Sequence, residues 1–411
     1  MFRLNNAVRG YAWGSETRLA DFLGRTPSGG PEAELWIGAH EGDPSRLPDG
    51  RSLGDAIADH PQEMVGGRVC DIFGDRLPFL MKVLAVDEPL SLQVHPSNAR
   101  ARAGHARENE HDVPVDAPHR SYKDQWHKPE LIFALTRFEG MAGFRDVPGT
   151  VELLSLLHLP WADDLARRLS DGPAHRALEA VTTEVLSLSG RGLARTLRDV
   201  GHAARHAEAR GRRRDLRHRS SGRDQHLVNR EAVRVFGLLA DLAAKYPKDP
   251  GVLVALLLNH VVLAPGEAMF VDAGMIHAYT SGFGVEIMAS SDNVLRAGLT
   301  PKHRDVDELL HVTNFTPIPP PRWRSLERTH GFIHIEPPVA EFSLTVGRPP
   351  LRRLPATGPR ILLCVDGTVE VTTTAGQSLT LARGEAVFVT HQDGSFDVTG
   401  DGEVAVGSVP V

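Results

Sequence analysis

Residues 1–150 carry short apolar runs (ELWIGA, LPFLMKVLAV, PLSLQV, ELIFALTRFEGMAGF) broken by Gly and Pro. Such runs with frequent turns predict short strands and an all-β sandwich or barrel. Near residue 150 the pattern changes. Through 151–210, Leu and Ala recur at helical spacing (VELLSLLHL, ADDLARRLS, HRALEAVTTEVLSL, RGLARTLRDVGHAARHAEAR), and 228–246 (VNREAVRVFGLLADLAAKY) predicts a further helix. Asp249-Pro250 opens another over 248–258, with Pro at the first helical position. From 261 the strand pattern returns (VVLAPGEAMFVDAGMIHAY, GFGVEIMASS), PPPR at 319–322 marks a connection, and about 325–411 again reads as short strands.

Within the first β region, Leu92-Gln93-Val94-His95 stands out. Strand side chains alternate faces, so Leu92 and Val94 point into a core while Gln93 and His95 share the other face. An imidazole and an amide oxygen two residues apart can hold one metal ion, although a polar outer face gives the same pattern. There is also an internal echo. Pro265-Gly266-Glu267-Ala268-Met269-Phe270-Val271 matches Arg383-Gly384-Glu385-Ala386-Val387-Phe388-Val389, each Gly-Glu turning the chain before a buried strand. Two related β units follow. Only the first continues to a histidine, His277, that complements a Gln-x-His pair; the second reaches His391 without one, which implies one working site and one structural copy.

At 411 residues the chain is long enough for two or three domains, and a net charge of −6 gives no reason to expect a nucleic-acid partner. The longest apolar stretch, 251–264, is interrupted by Asn259 and His260 and is too short to span a bilayer. The N-terminus lacks the apolar run of a signal peptide, and Cys70 and Cys364 form no redox or metal motif. A reducing, cytoplasmic location is expected. Only six of 46 basic residues are Lys, so a Lys beside a proposed site carries more information than usual. The basic segment 211–225 (GRRRDLRHRSSGRDQ) has no apolar face and is expected to be a solvated loop rather than an anion-binding arm.

Three further segments combine chemistry with a strand or turn. Glu130 starts a strand after Asp124-Gln125-Trp126-His127-Lys128-Pro129, His277 follows the Gly274 turn, and Glu286 through Arg296 leads into Thr300-Pro301-Lys302-His303. Each has a plain structural alternative: Glu130 as a surface carboxylate, His277 as one hydrogen-bonded histidine among 20, Arg296 as a helix-spaced partner of Asp292.

These segments, with Tyr11-Ala12-Trp13-Gly14-Ser15, PEAELWIGAH (31–40), LPFLMKVLAVDEPLSLQVHPSNARA (77–101), YKDQWHKPELIFAL (122–135) and FVDAGMIHAY to GLTPKH (270–303), resemble the type I phosphomannose isomerases. The helical middle and the C-terminal segment carry little specific resemblance, and the basic insert departs from the family. The resemblance implies a mainly β chain: a discontinuous cupin, or jelly-roll, catalytic domain (1–150 and 256–324), an inserted helical domain (151–255) and a degenerate C-terminal cupin-like domain (325–411). It implies one zinc per chain on Gln93, His95, Glu130 and His277, spaced 2, 35 and 147 residues apart. A mixed N/O set drawn from separate strands suits a catalytic metal in a preformed cavity.

The family's reaction interconverts mannose 6-phosphate and fructose 6-phosphate through an enediolate. Negative charge then develops on two sugar oxygens, so a fixed cation nearby lowers the barrier. By family analogy Arg296 is catalytic, and its guanidinium stays charged at any working pH. Lys128 and Asp292 are carried as base candidates, with His95 and Glu286 also in position; Ser91, Arg296 and Lys302, with Lys82, are the candidates for the phosphate. Trp13, Trp36 and Trp126 either wall the sugar pocket or pack as ordinary core. The expected partner is a small sugar phosphate, with neither nucleic acid nor membrane, and a monomer is expected with a dimer as the alternative. Three other readings stay open: an iron cupin dioxygenase, disfavoured by Gln93 where such proteins carry His; a non-catalytic sugar-phosphate sensor; and an isomerase of another sugar phosphate.

Overall fold

The computed structural model describes residues 1–217, 223–323, 331–354 and 357–410. Ten of the described strands form one sheet system and eight another. In the first, the long strand His277–Ala289 is the spine. It pairs with Phe138–Phe144 and Leu92–Val94 in its first part, then with Phe79–Val86 and Glu130–Ala134 in its second. Gly282 makes the change of partner possible. Its φ of +132° suits glycine, and an added Cβ would lie 2.7 Å from Phe138 Cα.

Alternation decides which way the site side chains face. Leu92 and Val94 are fully buried in a cluster with Leu153, Leu197, Leu253 and Leu295, so the helical region packs directly behind this strand. Slipping the strand by one residue would expose both, at about 1.5–3 kcal/mol per side chain. Gln93 and His95 are thereby turned to the opposite face. The second sheet system packs on the first: Met81, Val83 and Ile287 share a core with Ile361, Leu363, Phe388 and Ala405. The backbones approach so closely that a Cβ on Gly407 would stand 2.6 Å from Met81 Sδ.

The internal echo is structural. Gly266 and Gly384 both adopt φ +87°, and in each turn the following Glu accepts from a backbone N–H three residues earlier, Glu267 from Ala264 at 2.7 Å and Glu385 from Ala382 at 2.8 Å. Strands Ala268–Val271 and Ala386–Val389 follow. Cys70 and Cys364 are both free.

Four features differ from the sequence expectations. The basic segment 211–225 is helical where it is described: residues 211–217 continue the helix Gly190–Arg217, 223–225 open the helix Arg223–Lys245, and 218–222 lie outside the described residues. Arg is a good helix former, so charge without an apolar face did not preclude helix. The two helices pack closely enough that a Cβ on Gly211 would lie 2.5 Å from Val233. The helix expected over 248–258 is only Gly251–Val254 with one further turn to Leu257, because Leu258 already belongs to the strand Leu258–Leu263. The first 150 residues hold helices as well as strands, including Asn98–Glu110, capped by Ser97, whose hydroxyl accepts from Arg100 N–H. Finally, Phe2–Leu4 leaves the first sheet system and pairs with Ala386–Val389 in the second.

Candidate metal centre

Three ligating side chains converge at the first part of the spine strand. His277 stands in register with Gln93, and Glu130 opens a strand flanked by Val271 and Met288. The ligand atoms of His95, Glu130 and His277 all lie within 4.8 Å of one another, and all three residues are buried. Glu130 Oε1 is 3.2 Å from His95 Nε2, and Oε2 is 3.2 Å from His277 Nε2. Gln93 reaches the same place, its amide nitrogen 3.3 Å from His277 Nε2. Half a turn of the amide presents its oxygen there instead.

Backbone carbonyls fix the histidine tautomers. His95 Nδ1 donates to Asn293 O at 2.7 Å and His277 Nδ1 to Met275 O at 3.0 Å. In the neutral rings both Nε2 atoms then carry lone pairs, aimed at a carboxylate that offers lone pairs too. Burial pushes the His95 imidazole down to about 4, with Glu130 opposing, so a second proton does not relieve the conflict. His95 Nε2 and Glu130 Oε2 are buried without a hydrogen-bond partner. Converging buried ligand atoms, two of them without a hydrogen-bond partner, fit a bound cation, and two imidazoles, a carboxylate and an amide suit zinc. The Glu130 carboxyl is raised by burial, but His95, Lys128 and His277 outweigh this and hold it well below the ordinary carboxylate range.

Lys128 is buried, its Nζ 3.4 Å from Glu130 Oε1. Lys82 lies between Glu286 at 3.4 Å and Glu34 at 3.7 Å, over the Trp36 ring at 5.2 Å. Burial would lower the Lys82 ammonium, but Glu34, Glu286 and Glu130 raise it. Burial lifts the Glu286 carboxyl to about 7, helped by Glu130 and Glu34 and opposed by Lys82 and Lys128. Asp292 is raised by burial yet held below its ordinary value by His40, 3.4 Å away, and by Lys128 and Lys123. Arg296 does not pair with Asp292. Among the described residues no carboxylate lies against it, and burial lowers its guanidinium. Burial lowers Lys302 as well, and the fields of Arg296 and Lys123 add to it, so three cations share one region. Ser91 is half-buried just ahead of Leu92.

The tryptophans divide. Trp36 is buried and donates to Glu34 at 2.5 Å, whereas Trp13 stacks on Tyr11 at 5.7 Å. Trp126, covered by Arg76 at 4.2 Å, lines a cavity of about 1010 Å³ that also reaches Lys123, His40 and Asp292.

Sequence reasoning missed Asn293, Glu34 and His40. Asn293 is fully buried and stitches 123–126 to the loop ahead of Arg296. Its oxygen accepts from Lys123 N–H and its nitrogen donates to the carbonyls of Asp124 and Trp126, all at 2.8 Å. A lone Asn in a loop gives no periodic signal; an Asn that is buried despite four polar valences would have been the clue.

A family model described as phosphomannose isomerase type I, catalytic domain, matches residues 1–147. Another, described as mannose-6-phosphate isomerase, cupin domain, matches 359–409, in the segment whose motifs carry little resemblance by eye. The chain is 35% identical to mannose-6-phosphate isomerase of Salmonella typhimurium, over 98% of each sequence. Against the Homo sapiens protein of that name it is 34% identical, over 95% of this chain and 93% of that one. The solved structure of mannose 6-phosphate isomerase from Salmonella typhimurium bound to its substrate, fructose 6-phosphate, and to zinc matches with TM-score 0.86 at 34% identity, covering 100% of both chains. A mannose 6-phosphate isomerase bound with zinc and yttrium matches with the same TM-score and coverage.

Proposed function

The chain belongs to the type I phosphomannose isomerase family, and from that premise we propose that it is a zinc-dependent aldose-ketose isomerase that interconverts mannose 6-phosphate and fructose 6-phosphate. The observation that carries the reading is the buried convergence of His95, Glu130 and His277, with His95 Nε2 and Glu130 Oε2 left without a hydrogen-bond partner. Gln93, His95, Glu130 and His277 would hold the zinc, which, when bound, supplies a positive charge that polarises sugar oxygens.

The remaining work falls to the chain's own residues. Arg296, against which no carboxylate lies among the described residues, is free to meet negative charge developing on the enediolate oxygens. Lys128 and Asp292, whose carboxylate feels the Lys128 charge, are assigned the proton transfer between C2 and C1. Glu286, lifted to about 7, can hold or release a proton at neutral pH and backs that pair. Lys302 and Ser91 take the phosphate. Lys82, compensated already by Glu34 and Glu286, contributes positive field rather than a contact.

A cytoplasmic location and a monomer, with a dimer as the alternative, complete the proposal. Among the described residues no helix is long and apolar enough to cross a membrane. The test is to incubate the purified protein with mannose 6-phosphate and identify the product by NMR. Formation of fructose 6-phosphate supports the assignment. Turnover of a different sugar phosphate only, or binding without turnover, would overturn it in favour of another isomerase or a sensor.

A further inference from the structure

A buried carboxylate of the helical region holds the loop that carries Lys302. Asp249 lies in the connection between the helices Arg223–Lys245 and Gly251–Val254 and is buried, with 8% of its surface exposed. Its Oδ2 accepts from Leu299 N–H at 2.8 Å and from Thr300 N–H at 3.4 Å. Its Oδ1 accepts from Gly251 N–H at 2.9 Å and from Arg304 Nη1 at 3.1 Å. One side chain therefore grips both ends of the segment 299–304, in whose middle stands Lys302.

The grip continues inward. Thr300 Oγ1 accepts from Lys302 N–H at 3.1 Å, so the backbone that carries the lysine hangs on a residue that Asp249 holds. Leu299 adopts φ +58°, a left-handed conformation unfavourable for a side chain with a Cβ, and persists where its surroundings over-determine it. The bond from its N–H to Asp249 is one such restraint. Close approach of the two segments needs glycine on both sides: a Cβ on Gly298 would lie 2.7 Å from Gly251 Cα and 2.5 Å from Asp249 Oδ1. Two ordinary side chains here would push the loop off the helical region.

We propose that Asp249 is a positioning residue for phosphate recognition: it fixes the conformation of 299–304 and so the place from which Lys302 meets the substrate phosphate. This rests on the assignment of Lys302 to the phosphate. It gives the helical region a part in substrate binding although it supplies no side chain to the metal cluster. A merely structural Asp249 would change stability, zinc content and turnover together, without regard to whether a ligand carries phosphate.

The experiment is a double-mutant cycle on the zinc-loaded full chain with Asp249→Asn, Lys302→Ala and both together. It reads KM and kcat for mannose 6-phosphate and competitive inhibition by inorganic phosphate, with zinc content and melting temperature as controls. Each single change should raise KM and the phosphate inhibition constant about tenfold while kcat stays nearly constant, and the double variant should be no worse than the weaker-binding single, because both remove one contact. Arg304→Gln loosens the same clamp from its more exposed side and should reproduce the KM effect if Asp249→Asn folds poorly. Multiplying effects, about a hundredfold in the double variant, or an unchanged KM in both clamp variants, overturn the proposal while leaving Lys302 in place. An unchanged KM and unchanged phosphate inhibition in Lys302→Ala instead remove the phosphate assignment, and the proposal with it.

Discussion

Replacing Asn293 by Ala tests how far the centre depends on a residue that touches neither metal nor substrate. The side chain makes three hydrogen bonds at 2.8 Å to the segment 123–126 and two weaker ones at 3.2 Å, one accepted from Asp124 N–H and one donated by Asn293 Nδ2 to Asp124 Oδ1. At about 1 kcal/mol for each well-formed bond, the three short ones amount to about 3 kcal/mol. A domain-sized cooperative unit loses roughly 2–4 °C per kcal/mol, so melting should fall by roughly 6–12 °C. Asp124 keeps part of its anchorage through Ser291 Oγ at 2.9 Å and Asp292 N–H at 2.8 Å, so the loss is local. The carbonyl of Asn293 also orients the His95 ring, and disturbing such an outer partner should weaken zinc binding about 10–100-fold. Differential scanning fluorimetry and a zinc competition against a chromogenic chelator read the two effects. A variant that melts with the parent and binds zinc equally well would refute the assignment of Asn293 as the stitch between the loops.

Other outcomes follow from the same geometry. His277→Ala should lose zinc and activity together, measured by metal analysis and turnover; an active, metal-free variant contradicts the ligand set. Arg296→Ala should keep its zinc while kcat falls about 10²–10³-fold, and unchanged turnover removes Arg296 from the chemistry. Glu286 has its carboxyl raised from 4.5 to about 7, so its contribution to stability is present below about pH 4.5 and lost as pH rises through about 7. Melting temperatures of wild type and Glu286→Gln across that window should therefore shift against the wild type with rising pH, and a constant difference contradicts the assignment.

What could be read in the sequence was whatever repeats or matches a known order of residues. The alternation at Leu92–His95 gave the facing of Gln93 and His95 because two fully buried side chains enforce it. Glu130 and His277 came from family motifs, since nothing local distinguishes a ligand from an ordinary buried carboxylate or imidazole. The Lys82–Glu286 pair was out of reach because it exists only through strand register, residue opposite residue, between chain segments about 200 apart. The helix Asn98–Glu110 has no apolar stripe to betray it; Arg100 and Arg107 on that helix are instead tied to Glu308, at 2.7 and 3.2 Å. The pairing of Phe2–Leu4 with a strand near the other end of the chain had no local signal either. At 211–217 and 223–225 the absence of an apolar face was read as loop, whereas helical propensity and packing between two long antiparallel helices decided otherwise.

The most direct measurement is the rate of fructose 6-phosphate formation from mannose 6-phosphate in a coupled assay, on the same preparation before chelation, after it, and after zinc is returned. Activity that disappears with the chelator and returns with zinc is the predicted result, because His95, Glu130 and His277 converge as buried ligand atoms that a cation would satisfy. Undiminished activity in fully demetallated protein, or no activity with zinc restored, would contradict it.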